Sequence, residues 1–268
     1  MKEETVQQER LAYLVEGFKE DSVRYRDIET PEDEEGKRVL LRSLMNIRMP
    51  KRIDREVLKV QDEYLKQRAD EKGIVCPEEI PLIRDHISIW QGDITRLKVD
   101  AIVNAANSQM LGCFIPMHTC IDNCIHTFAG IQLREECARK MKELKEKYGE
   151  DYEQPVGIPL LTDGYNLPAK KVIHVAGPIV EGFLTGRHEK ELADCYRNVL
   201  DLCRENGLKS VAFCCISTGV FHFPNKRAAQ IAVKTVEDWL SQDPDSIDRV
   251  IFNVFKDEDR RYYEQELQ

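Results

Sequence analysis

From Ile87 onward the chain alternates between short apolar runs and longer amphipathic stretches. The runs ISIW (from Ile87), DAIVN (from Asp100), KKVIHV (from Lys170), SVAFCCIS (from Ser210) and RVIFNVF (from Arg249) have the length and β-branched content of strands. Amphipathic helices separate them, beginning near Asp122, His188 and Asn225. This alternation predicts an α/β layer: a mostly parallel or mixed sheet covered by helices on both faces. Ligands of such sheets collect beyond the carboxyl ends of the strands.

Before that point the pattern is purely helical. Leu11, Leu14 and Phe18 fall at helical spacing. Thr30-Pro31, with Asp33 three residues after the threonine, predicts a second helix whose apolar side holds Leu40, Leu41, Leu44 and Met45. Asp54 opens a third, through Tyr64 and Leu65, that stops at Gly73. Apolar positions are too few here for an independent core. Residues 1–73 are therefore expected to be an all-helical extension docked as a cap, and residues 74–268 the α/β domain.

Composition narrows the function classes. The net charge of −9, from 39 basic and 48 acidic residues, disfavours broad contact with nucleic acid or an anionic membrane. A small anion is still possible, because backbone N–H groups at loops and helix starts hold phosphate without side-chain charge. No apolar stretch is long enough to span a bilayer, and the polar start MKEETVQQER is not a secretory signal. Nine scattered cysteines, an odd number, argue against a disulfide framework and for a reduced cytoplasmic setting.

Three loops at the predicted strand ends carry chemistry. GDIT (Gly92 to Thr95) follows the first strand, and STGVFHFP (Ser217 to Pro224) runs straight into a helix. Ser217-Thr218-Gly219 suits a diphosphate cradle, although the same residues also make ordinary turns. Neither G-x-G-x-x-G nor G-K-[ST] is present, which removes support for dinucleotide and P-loop readings. The third loop, GCFIPMHTCIDN, sets Cys113, His118 and Cys120 in a C-x4-H-x-C cluster. Two thiols and an imidazole suit zinc, and three ligands with one open position are the mark of a catalytic site. A loop with no metal is the competing reading. Cys124, Cys137, Cys195, Cys203, Cys214 and Cys215 lack such grouping and are expected in the core. His126 and His174 fall in a helix and a strand, and His222 is expected as a polar loop residue. Asp122 is expected to cap its helix and, beside a metal, to orient water or a sugar hydroxyl. Asn104 and Asn107 either bind backbone in a turn or aim an amide at a ribose. Phe221 is either a core aromatic or a platform for a sugar.

Taken in order, GDIT, DAIVNAAN, IDNCIH, TDGYNLPAKKVIHVAGP and ISTGVFHFP resemble the macrodomain family of ADP-ribose-binding and ADP-ribose-hydrolysing proteins. The resemblance runs from about Ile87 to the carboxyl end and implies a three-layer α/β/α sandwich on a mixed sheet. Many macrodomains carry a glycine-rich stretch near GGGVDGAIH where this chain has LGCFIPMHTCIDNCIH. That replacement, with the helical extension, resembles the zinc-containing microbial protein-ADP-ribose hydrolases. It implies one Zn2+ per chain on Cys113, His118 and Cys120. Carried over by residue, Asp93 would take the adenine amino group and the Ile94 N–H a phosphate or the base region. Asn107 would contact the distal ribose, and Ile121, Asp122 and Asn123 would line ribose and diphosphate. Ser217, Thr218, Gly219 and Val220 would form the diphosphate loop, with Phe221 stacking on the distal ribose. Position 222, often glycine in other macrodomains, is His222.

The implied reaction removes mono-ADP-ribose from a carboxylate side chain, aspartate foremost, of a partner protein. Asn107, Asp122 and His118 are the expected catalytic residues. Two thiolates neutralise zinc formally, so a positioning and polarising ion is expected rather than a strong Lewis acid. The resemblance also implies, as substrate, a lipoyl-carrying relative of the glycine-cleavage H protein. The alternatives are a non-catalytic ADP-ribose reader and an O-acetyl-ADP-ribose deacetylase. A zinc nucleobase deaminase is a poor fit, because H-x-E with P-C-x-x-C is absent.

Overall fold

The computed structural model describes residues 2–268. Six strands form one mixed sheet: β1 (Ile87–Gln91), β2 (Ala101–Ala106), β3 (Leu160–Asp163), β4 (Lys171–Ala176), β5 (Ser210–Phe213) and β6 (Arg249–Val254). Their order is β1-β6-β5-β2-β4-β3, parallel throughout except for β3, which pairs antiparallel with β4 at the edge. All five predicted strands are present. The sequence pattern misses β3, which has only four residues and a single fully buried position, so no alternation develops.

Helices α4 (Ile121–Ala129) and α5 (Ile131–Tyr148) cover one side. Helices α6 (Gly186–Glu205), α7 (Asn225–Gln242) and α8 (Asp257–Leu267) pack on one another along the other. The expected α/β/α layering is what the chain adopts. One helix start near Asp122 conceals two helices, divided where Gly130 takes φ 95°, a conformation that glycine adopts without strain. Among the cysteines, Cys137, Cys195, Cys203 and Cys214 are buried as expected, while Cys124 and Cys215 are half-buried.

The amino-terminal helices are α1 (Lys2–Glu20), α2 (Glu34–Ile47) and α3 (Arg55–Lys72). Asp54 caps α3 by accepting from the Glu56 N–H, and Gly73 ends it, both as the sequence predicts. Helix α2 starts later than predicted. Its cap is Asp33, which accepts from Gly36, whereas the Thr30 hydroxyl is engaged with Glu16 at 2.6 Å and Lys19 at 2.8 Å. Leu11, Leu14, Phe18, Leu41 and Leu44 bury together, and Ile131 of α5 completes the cluster. Among the described residues Ile131 is the one buried member from outside the extension, so the three helices carry a small apolar core of their own, contrary to the expectation from their apolar count, and it meets the α/β layers at α5. Among the described residues no helix is long and apolar enough to cross a membrane.

Candidate active site

The parallel strands deliver their loops to one edge of the sheet. Behind β1, Asp93 caps a single 3-10 turn (Ile94–Arg96). Its Oδ1 accepts from the Thr95 N–H (3.0 Å) and hydroxyl (2.6 Å), and its Oδ2 accepts from Lys72 Nζ of α3 (2.9 Å). Burial alone would raise Asp93, but Lys72 and Thr95 outweigh it and hold the carboxyl below its usual range. It is therefore an anion with an ordered face. The Ile94 side chain is core, so only its backbone is available to a ligand.

After β5 the chain turns sharply. Ser217 sits at φ 64° and His222 at φ 57°, and the turn closes through Phe223 N–H to Ser217 O (3.0 Å) and His222 N–H to Gly219 O (3.1 Å). Gly177, after β4, lies so close that a Cβ there would meet Ser217 Oγ at 2.1 Å. Only glycine lets the two loops approach. The Ser217 hydroxyl is buried with no hydrogen-bond partner among the described residues. Val220 is exposed and Phe221 half-exposed, whereas the core aromatic of this loop is Phe223. Phe221 is therefore left at the surface, where a sugar platform would have to be. His222 is exposed, as expected of a polar loop residue.

The third loop joins β2 to α4. Cys113 Sγ lies 3.5 Å from His118 Nδ1, and the donors of Cys113, His118 and Cys120 lie within 4.8 Å of one another. A tetrahedral ion with bonds of about 2.3 Å to sulfur and about 2.0 Å to nitrogen needs donors roughly 3.5 Å apart. The set fits zinc, and no fourth histidine, cysteine or carboxylate joins it among the described residues. Burial pushes the Cys120 thiol up to about 12, with Cys113 and Asp122 adding to the rise.

Cys120 also corrects an expectation. The cap of α4 is Cys120, whose Sγ accepts from the Asn123 N–H at 3.4 Å; Asp122 is not the cap. Asp122 lies in the first turn and points inward, where Asn104 Nδ2 donates to its Oδ1 at 2.7 Å. Its second oxygen has no side-chain partner among the described residues. Burial raises this carboxyl to about 6, against the opposing effects of Asn104 and Arg134. The N–H groups of Ile121 and Asp122 are orphans of the first helical turn and form a natural anion seat.

Two predicted contacts are not made as expected. Asn123 is wholly buried and gives its amide to Ile115 O (2.9 Å) and Cys113 O (3.4 Å), so its side chain braces the loop rather than lining a pocket. Asn104 spends its amide on Asp122 and on His174 Nδ1 (3.0 Å), and Asn107, half-exposed, binds backbone in the turn, donating to Gly112 O (3.3 Å) and accepting from the Gln109 N–H (3.1 Å).

Beneath Asp122 lies a network that the sequence does not announce. His174 Nε2 meets Thr162 Oγ1 at 3.0 Å and Cys137 Sγ at 3.7 Å, and His126 Nε2 is 3.6 Å from Asp122 Oδ1. Cys137, expected as an isolated core residue, is thus grouped with two histidines. Burial lowers His174 to about 3 and His126 well below its usual value, so both are neutral.

Comparison with known proteins agrees with this geometry. The Macro domain family profile matches residues 103–232. A protein-ADP-ribose hydrolase of Treponema medium is 46% identical over 261 residues, covering 96% of this chain and 97% of the relative. The chain belongs to the macrodomain family. A protein-ADP-ribose hydrolase of Staphylococcus aureus is 41% identical over 259 residues, covering 96% of this chain and 95% of the relative. The Trypanosoma brucei macrodomain in complex with ADP-ribose superposes with a TM-score of 0.65 at 28% identity, over 85% of this chain and 95% of that one. Alignments over 96% of this macrodomain chain take in the helical extension as well as the sheet.

Position 222 takes a left-handed backbone conformation, φ 57°. A left-handed φ costs a histidine about 1 kcal/mol that glycine does not spend. His222→Gly is expected to stabilise this macrodomain by about 0.5–1 kcal/mol, read from urea unfolding midpoints. An unchanged or lower midpoint would show that the histidine's contacts outweigh the strain.

Proposed function

We propose that the protein is a hydrolase that removes ADP-ribose from modified proteins, that the modified side chain is a carboxylate, aspartate foremost, and that zinc on Cys113, His118 and Cys120 takes part. The carrying observation is the placing of three zinc-fitting donors directly before α4, one turn from a buried carboxylate. The names of the similar hydrolases support the reaction class.

In this reading Asp93 accepts from the base. The exposed 217–221 turn and the first N–H groups of α4 take the diphosphate, and Phe221 and Asn107 hold the distal ribose. Zinc, when bound, supplies a positive charge that polarises an oxygen near the anomeric carbon. The free oxygen of Asp122 accepts from the attacking water or a ribose hydroxyl, and Asn104 fixes its direction. The anomeric C–O bond breaks, the water oxygen joins the sugar, and the products are ADP-ribose and a free carboxyl side chain. A carboxylate leaves without a proton because its conjugate acid has a pKa of about 4, so no general acid is required over the leaving group. A guanidinium linkage would require one. That asymmetry favours the acidic side chain.

The test uses proteins singly ADP-ribosylated on aspartate, glutamate, serine or arginine, with O-acetyl-ADP-ribose alongside. Free ADP-ribose is followed over time and compared with binding measured by calorimetry. Fast release from aspartate is expected. Tight binding without release would make the protein a reader, and preference for the acetyl ester would make it a deacetylase. A lipoyl-carrying relative of the glycine-cleavage H protein is the first modified partner to try.

A further inference from the structure

We propose that the helical extension is a working part of the active site: Arg42 and Asn46 of α2, together with Arg134 of α5, are positioning residues for the loop that carries Cys113, His118 and Cys120. The inference rests on the zinc reading above, and goes beyond it by giving the extension a task.

The loop cannot hold its own shape. Between Gly112 (φ 80°) and α4, the one backbone hydrogen bond within it runs from His118 N–H to Ile115 O at 3.2 Å, and Met117 adopts φ 56°. An irregular loop of this kind must be held by its surroundings. The holding groups come from outside. Asn46 Oδ1 accepts from the N–H of the strained Met117 (3.1 Å), while its amide donates to Thr127 Oγ1 of α4 (2.9 Å). Arg42 Nη2 donates to His118 O (2.8 Å) and to Asn123 Oδ1 (2.9 Å), and Asn123 passes its own amide to Ile115 O and Cys113 O.

Arg134 closes the circuit. Its Nη1 donates to Met45 O (3.2 Å), Asn46 O (2.8 Å) and Arg48 O (2.6 Å), the carbonyls that the end of α2 leaves unpaired. Its Nε and Nη2 reach Leu111 O (2.8 Å) and Cys113 O (3.4 Å), and the Phe114 ring lies 4.2 Å from the guanidinium carbon. The joint is close-packed, with a cavity of only about 10 Å³ between Asn46, Arg48, His126 and Arg134. Two of the three ligand residues, Cys113 and His118, therefore have their carbonyls gripped by one network. Groups that orient metal ligands in this way typically change metal affinity about 10–100-fold when removed.

Other contacts dock the extension without touching the loop. Gln61 Nε2 donates to Gln132 Oε1 (2.8 Å) and Gln61 Oε1 accepts from the Ile131 N–H (3.2 Å). That difference supplies the control. Full-length Arg42→Ala, Asn46→Ala and Gln61→Ala proteins are compared for zinc affinity against a chromophoric chelator, for amide hydrogen exchange of residues 113–119 without metal, and for Tm. Arg42→Ala and Asn46→Ala should weaken zinc binding about 10-fold or more and speed loop exchange by a similar factor. Gln61→Ala should lower Tm and leave zinc affinity within about twofold. Unchanged loop exchange in both Arg42→Ala and Asn46→Ala, or equal loss of zinc in Gln61→Ala, overturns the clamp. Wild-type protein that binds no zinc overturns the metal assignment alone, and the exchange comparison then decides the clamp by itself.

Discussion

His118→Ala and Cys113→Ala proteins are expected to lose both their metal and most of their ADP-ribose release. Two donors cannot hold zinc as three do, so bound zinc should fall from about one per chain to below about one-tenth under dilution against a chelator. A polarising ion contributes several kcal/mol at the reacting oxygen, so release should drop about 100-fold or more. Affinity for free ADP-ribose should move by less than about threefold. Of the groups assigned to the base and diphosphate, Asp93 and the 217–221 turn belong to other loops, and the first N–H groups of α4 are placed by the helix itself. The two readouts must separate for the zinc proposal to hold. Metal-free protein that releases ADP-ribose at the full rate would remove zinc from the reaction and leave nucleotide recognition intact.

The second large effect concerns acid stability. His126 and His174 are fully buried and neutral, with folded pKa values depressed by burial, that of His174 to about 3. In the unfolded chain each would titrate near 6.5. Below that value the unfolded state binds more protons, so stability is complete above about pH 6.5 and is lost as the pH falls toward the folded value. Each histidine contributes about 1.4 kcal/mol per pH unit, or roughly 2 kcal/mol for His174 between pH 6.5 and 5. Asp122, raised to about 6, works in the opposite sense over pH 6 to 4 and offsets part of this loss. The comparison is therefore between proteins. Urea unfolding of wild type and His174→Gln at pH 7.5 and 5.0 should show a loss on acidification smaller by about 2 kcal/mol in the variant. Equal losses would mean that His174 is protonated in the native state.

Much of the architecture is legible before any coordinates. The run from Val211 to Ile216 in SVAFCCIS is continuously apolar because a parallel strand is buried on both faces, and that composition is visible locally. The zinc-fitting set is equally legible, since Cys113, His118 and Cys120 lie within eight residues on one loop. The misses have a common cause. Asp122 looks like a helix cap because a carboxylate before an apolar turn usually is one, but the thiol of Cys120 takes that place once it sits at the helix start. Cys137 looks like an isolated core residue because its neighbours, His174 of β4 and His126 of α4, are distant in sequence or on another helix. A signal was available for β3 only in its pairing, because four residues are too few to show a period.

By itself, the sequence determined the α/β order of elements, the caps at Asp54 and Gly73, and a loop rich in soft metal donors, because each depends on neighbours a few residues away. The tertiary structure alone decided that Asn104 turns inward to Asp122, that two histidines lie neutral beneath it, and that Arg42 and Asn46 hold a loop some 70 to 80 positions further along. Those outcomes depend on which groups the packed layers leave within hydrogen-bond distance, and no local pattern of residues encodes that distance.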